Sequence, residues 1–174
     1  MKRFMNSGWI FVIVLVVCII IYIFPWQHKI DTTIQGVQWR IGDADYSEDV
    51  LITVKGIYKQ YLFKDDVFEG KISIDIYDFS LDVPIIPAHF DDGYASLIYH
   101  YDFLDMRSFG TLSCTPNFDQ LFIGLHEPID TRPKGWNGDN GLNICAPANN
   151  RTQALETAKI LSKKSKLFSK INWN

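Results

Sequence analysis

The stretch Phe68-Glu69-Gly70-Lys71-Ile72-Ser73-Ile74-Asp75-Ile76 decides the fold class. Its even positions are apolar or glycine, while Glu69, Lys71, Ser73 and Asp75 face the other way. Successive side chains of an extended chain alternate between faces, so this pattern predicts a strand with one buried face. Upstream, Val50, Ile52, Val54 and Tyr58 alternate in the same way. Lys64-Asp65-Asp66 lies between the two and is turn-forming, because aspartate bonds to nearby backbone. The two strands are expected to pair as a long hairpin.

Working outward, Leu97, Tyr99, Tyr101 and Phe103 alternate with Ser96, Ile98, His100 and Asp102. A short strand follows from Phe109 to Cys114, then a turn at Thr115-Pro116-Asn117, then Leu121, Ile123 and Leu125 on one face of a third strand. Strands this close in sequence predict an antiparallel meander. Residues 37–41 are a candidate earlier strand. Two segments, 81–93 and 127–141, are rich in Pro, Gly and Asp and read as long loops. Near the end the period changes. Asn150 suits an N-cap, and Gln153 three residues on completes a capping pattern. Ala154, Leu155, Ala158, Leu161 and Phe168 share a face, opposite Lys159, Lys163, Lys166 and Lys170. This predicts an amphipathic helix over 150–168 covering one face of the sheet.

The other organising stretch is Trp9-Ile10-Phe11-Val12-Ile13-Val14-Leu15-Val16-Val17-Cys18-Ile19-Ile20-Ile21-Tyr22-Ile23-Phe24, without charge, Pro or Gly. A bilayer core needs about 20 apolar residues in a helix, and Phe4, Met5 and Trp26 extend the run. No small-residue cleavage pair follows it, which argues against a removed signal peptide. Residues 1–26 are therefore expected to be a short cytoplasmic end and a transmembrane anchor. Lys2 and Arg3 precede the run and only Lys29 follows closely, so the basic end is expected to stay in the cytoplasm. Residues 27–174 then form a single extracytoplasmic, mainly antiparallel β (α+β) domain, joined to the anchor by a short neck. The expected location is a cell membrane, crossed once, with the bilayer contacted through residues 9–24.

Residues 29–150 carry nine Lys and Arg against 19 Asp and Glu; residues 151–174 carry six basic residues against Glu156. An acidic body argues against nucleic acid, whose phosphates require clustered cations. Cys114 and Cys145 both fall in the exported part. An oxidising compartment permits a disulfide between them, and two separate buried thiols are the alternative.

Candidate sites are few. Asp91, Asp92 and Asp139, with Asn137 and Asn140, offer hard oxygen ligands for a cation, yet the regular spacing of a calcium loop is absent and turn formation, far commoner for Asp and Asn, is the favoured explanation. His100 and Asp102 share a strand face and could orient an imidazole for proton transfer, but no nucleophile is identifiable beside them. Trp136, in a Gly-rich acidic loop, could stack on a glycan or anchor an envelope protein, or fold back onto the sheet. No spacing of His, Cys or Gly marks a metal, a cofactor or a catalytic centre. The expected cofactor, metal and catalytic sets are therefore empty.

Gly56-Ile57-Tyr58-Lys59, then Tyr61-Leu62-Phe63-Lys64, Asp66, Phe68, Gly70 and Ile72, together with Ala146-Pro147-Ala148, Arg151 and Ala154, form a pattern. It resembles that of small uncharacterised single-pass membrane-anchored proteins of Gram-positive bacteria. The resemblance implies an anchored β-rich domain and carries over no catalytic residue. The expected function is a membrane-tethered, non-catalytic binding or accessory module. The alternative is a cell-envelope hydrolase with an unrecognised site.

Overall fold

The computed structural model describes the backbone of residues 2–102, 105–129, 132–165, 167, 168, 171 and 173. Side chains are described for 8–100, 106–127 and 135–165, and for 167, 168, 171 and 173. The chain begins with helix α1 (Lys2–Ile23) and passes almost at once into strand β1 (Trp26–Arg40). β2 (Asp43–Gln60), β3 (Asp66–Ile74), the short helix α2 (Asp78–Asp82), β4 (Ala88–Phe90) and β5 (Ala95–Asp102) follow. Then come β6 (Asp105–Cys114), β7 (Leu121–Leu125), β8 (Glu127–Ile129), β9 (Arg132–Gly135), β10 (Leu142–Ala146) and α3 (Arg151–Ser162).

Eight strands form one sheet in the order β4-β3-β2-β1-β10-β7-β6-β5, and every adjacent pair is antiparallel. The expected hairpin is β2 with β3, in a register that sets Val54 opposite Ile72 and Ile52 opposite Ile74. The expected meander is β5-β6-β7. The two ends of the sheet then meet. Ile86 N–H donates to Ile98 O at 2.8 Å, His100 N–H donates to Pro84 O at 3.3 Å, and Ile85 bridges Tyr99. The sheet is thus a nearly closed barrel. Closure satisfies backbone groups that open edges would leave bare.

Period-two alternation sorts the side chains into two cores. Val50, Ile52, Val54, Phe68, Ile72, Ile74, Leu97, Leu112, Leu121, Ile123 and Ile144 fill the barrel. Tyr99 crosses it, donating its hydroxyl to Ile72 O at 2.7 Å. The opposite face carries Val37, Trp39, Phe122 and Cys145, covered by Ala154, Ala158 and Leu161 of α3 and by Phe168. β7 is therefore buried on both faces. Asn150 caps α3, its Oδ1 accepting from Gln153 N–H at 3.0 Å, and Gln153 Oε1 accepts in return from Asn149 N–H at 2.8 Å. The helix ends at Ser162, short of the expected 168, because Lys163 and Lys164 interrupt its apolar arc; Phe168 reaches the same core from the following turns.

Two further expectations are corrected. The earlier strand is 15 residues long, and it takes up most of the expected neck. Segment 81–93 holds β4, and segment 127–141 holds the two-stranded ribbon β8-β9. Among the described residues no helix is long and apolar enough to cross a membrane. The described side chains of α1 start at Gly8, and those from Trp9 to Phe24 include large apolar groups 44–70% exposed.

Candidate functional site

The barrel has two unlike ends. At one, β1 begins beside the end of β2, with Trp26 opposite Gln60. At the other, Arg40 lies opposite Asp43 and Leu142, and here the barrel opens into a cavity of about 310 Å³. Phe79, Phe109, Leu125 and Leu142 give its apolar floor, and Tyr77, Arg107, Ser108, His126 and Glu127 ring its mouth. The floor is pinned by aromatic packing. Phe79 and Tyr77 lie 5.3 and 4.9 Å from Phe109, centroid to centroid, and Phe79 lies 5.3 Å from Tyr99.

Polar groups at the mouth are held in place by one another. The Tyr77 hydroxyl donates to Gln38 Oε1 at 2.6 Å, and Gln38, itself 3% exposed, donates to Tyr46 Oη at 2.7 Å. Burial, then the negative groups around it, push the Tyr77 phenol up to about 12, so it stays a donor at neutral pH. Arg40 grips Glu127 through its two terminal guanidinium nitrogens at 2.6 and 3.0 Å and also donates to Asn140 O at 2.8 Å. The hydrogen bond to Glu127 raises the Arg40 pKa. His126 sits between two hydroxyls, with Ser108 Oγ 2.8 Å from Nδ1 and Thr111 Oγ1 3.0 Å from Nε2. Burial lowers its pKa, so the neutral imidazole is favoured. A neutral ring donates at one nitrogen and accepts at the other, which one hydroxyl on each side satisfies. Apolar floor, few polar groups and location in a barrel mouth are the marks of a small-molecule pocket, here near the lower end of the usual size range.

The residues singled out in the sequence lie elsewhere. Asp91 and Asp92 form the β4-β5 turn, where Asp92 has φ +50° and Gly93 φ +84°, beside the backbone of Lys164. Asp139 belongs to a separate turn beside Gly42, its N–H donating to Asn137 Oδ1 at 2.9 Å. No group of three or more His, Cys, Asp or Glu among the described residues is placed to hold a metal ion. His100 is exposed on β5, opposite Met106, and is not among the residues that line the mouth pocket; the side chain of Asp102 lies outside the described residues.

Trp136 is folded back onto the sheet. Its indole lies on Gly124 and Gly141, where an added Cβ would come within 2.9 and 2.7 Å of the ring. Its N–H donates to Asn143 Oδ1 at 2.8 Å, and its ring centroid lies 5.1 Å from that of Phe168. Cys114 and Cys145 are free thiols on opposite faces of the sheet. Cys145 lies beneath α3 and accepts from Trp39 Nε1–H at 3.4 Å, whereas Cys114 packs on the barrel core. Two cysteines pointing to opposite faces cannot bridge without backbone movement. Burial pushes the Cys145 thiol up to about 12, and raises that of Cys114 as well.

The mouth residues were not readable as a set. His126 continues the alternation of β7, but nothing local announces that Ser108, Tyr77 and Arg40 converge there. The class that fold and site together define is a nearly closed antiparallel β-barrel with a small, amphipathic pocket at its mouth. No family, curated protein or solved structure matches the chain.

Proposed function

We propose that this protein is a membrane-tethered, non-catalytic module that binds a small amphipathic molecule at the barrel mouth. The observation that carries the binding half is the convergence of Tyr77, Ser108, His126 and Glu127 over a floor of Phe79, Phe109, Leu125 and Leu142. Such a site suits a ligand with an aromatic or aliphatic body and a polar head. The tether half is supported by the apolar side chains of α1, exposed on every side of the helix rather than packed on the barrel. Lys2 and Arg3 favour a cytoplasmic start, which leaves the barrel outside the cytoplasm.

The test of binding is titration of the detergent-solubilised full chain with anilinonaphthalene sulfonate, an aromatic anion whose emission rises in apolar surroundings. Saturable binding is expected, blocked by Ser108→Trp and weakened by Phe79→Ala. Equal binding by all three proteins would overturn the assignment. Carbonate-resistant sedimentation of the expressed chain with membranes is the expected sign of the tether.

A hydrolase is the second reading, favoured by one contact: Ser108 Oγ at 2.8 Å from a histidine that Thr111 orients from the far side. A neutral imidazole in that position can take the seryl proton. The third member is a hydroxyl instead of a carboxylate, which stabilises an imidazolium less. Covalent labelling of Ser108 by a fluorophosphonate, lost in Ser108→Ala, would favour this reading over simple binding.

A further inference from the structure

The end of the barrel opposite the pocket carries an apolar, aromatic and cationic cluster that the binding site does not use. The β2-β3 loop places Leu62 and Phe63 at its tip, 53% and 66% exposed, and Trp26 at the start of β1 is 58% exposed. Large apolar groups at a loop tip are a marked departure from the polar composition that turns favour. Phe63 leans on α1, its ring 5.9 Å from that of Tyr22. Lys64 Nζ sits 5.3 Å above the Tyr22 ring and 5.9 Å from that of Tyr61. The exposed apolar surface of α1 therefore continues without a break onto the barrel end.

We infer that residues 61–64, with Trp26 beside them, insert into the headgroup layer of the bilayer next to α1. This rests on the tether proposed above and adds a second membrane contact to it. Aromatic rings and a lysine with an apolar stem are the residues that prefer this layer, where the ring or stem lies in the acyl boundary and the polar tip meets water and phosphate. Tyr22, Tyr61, Phe63 and Trp26 supply the rings, and Lys64 supplies the cation toward lipid phosphate. Asp66 faces the barrel, its carboxylate occupied by Tyr58 Oη–H at 3.0 Å and Tyr61 N–H at 2.9 Å, while Asp65 is exposed and stays in water beyond the inserted tip. Two contacts, helix and loop, fix the tilt of the barrel, so the pocket opens away from the membrane. Its ligand then arrives from the aqueous side.

The full chain is reconstituted into phosphatidylcholine–phosphatidylglycerol vesicles with bimane at one site at a time: native Cys18, or L62C or D45C in a C18S background. Cys145 is buried and Cys114 only half-buried, so every labelled chain also carries C114S. Quenching is read with lipid nitroxides placed near the headgroup or deep in the acyl chains. Bimane at position 62 is expected to lose most of its emission to the headgroup nitroxide, at position 18 to the deep one, and at position 45 to neither. Quenching at 18 without quenching at 62 would overturn the loop insertion and leave the tether standing. Equal quenching at 62 and 45 would replace a seated loop with general adsorption and also overturn it. No quenching at 18 would remove the tether itself, and the loop inference with it.

Discussion

At Gly56 and Gly70 two strands pass so closely that neither residue can carry a side chain. They are register partners, and a Cβ on Gly70 would lie 2.2 Å from Lys55 O and 2.7 Å from Gly56 Cα, with the Phe68 ring 3.0 Å away. The ring of Phe68 covers the gap that the glycines leave. Gly70→Ala is expected to lower stability by about 1–3 kcal/mol through overpacking, read as a lower urea midpoint at unchanged slope. At the mouth, His126 is less easily protonated in the folded chain than in the unfolded one, because burial disfavours the imidazolium. The unfolded chain therefore takes up the extra proton, and stability falls as pH drops through the ordinary histidine range, from about 6.5 downward. Above that range both states are neutral and the effect vanishes. His126→Gln is expected to flatten the Tm profile between about pH 7 and 5 relative to the parent; parallel profiles would contradict it. Gly70 is legible in the sequence as a member of the buried face, but the ring across it is not, since that contact depends on the register between strands. His126 is legible as an alternating position, and the two hydroxyls that bracket it are not.

Among the elements, α3 is the one whose sequence was most informative. Its cap, its apolar face and its role over the sheet all follow from spacing within a few residues, the range over which helix chemistry is local. Asn150→Ala removes the acceptor for Gln153 N–H and is expected to cost about 1 kcal/mol, close to a fivefold change in an equilibrium. Cys145 lies beneath this helix, so its alkylation rate reports how often α3 lifts. Asn150→Ala is expected to speed modification of Cys145 about fivefold while leaving Cys114, inside the barrel, unchanged. Acceleration of both would mean that the variant loosens the whole barrel. The hairpin β2-β3 and the meander β5-β6-β7 were equally legible, being neighbours in sequence with clear alternation. β1 against β10, and the closure of residues 84–86 onto β5, were not. Those pairings join distant segments, and period two carries no record of which strand lies alongside. The β8-β9 ribbon was hidden by Pro133 and the glycines around it, which read as breakers.

At the scale of the molecule, the two ends of the barrel present different surfaces and are separated by the length of its strands. Those strands run to 18 residues in β2, tens of ångströms at about 3.3 Å per residue. Leu62 and Phe63 belong to one end and Phe79 and Ser108 to the other. Effects of substitutions this far apart add when the barrel between them is rigid, and they couple when one end's contact changes the shape of the other. The filled core, with Tyr99 bonded across it to β3 and Gln38 locking β1 to Tyr77, argues for rigidity. Leu62→Ser is therefore expected to weaken membrane seating without altering dye affinity at the mouth, and Phe79→Ala to do the reverse. The double variant should show both losses and no more. A dye affinity that changed on reconstitution into vesicles in the parent, but not in Leu62→Ser, would instead mean that seating the loop reshapes the pocket. The barrel would then be a transmitter between membrane and ligand, not a platform that holds the site at a fixed distance from the bilayer.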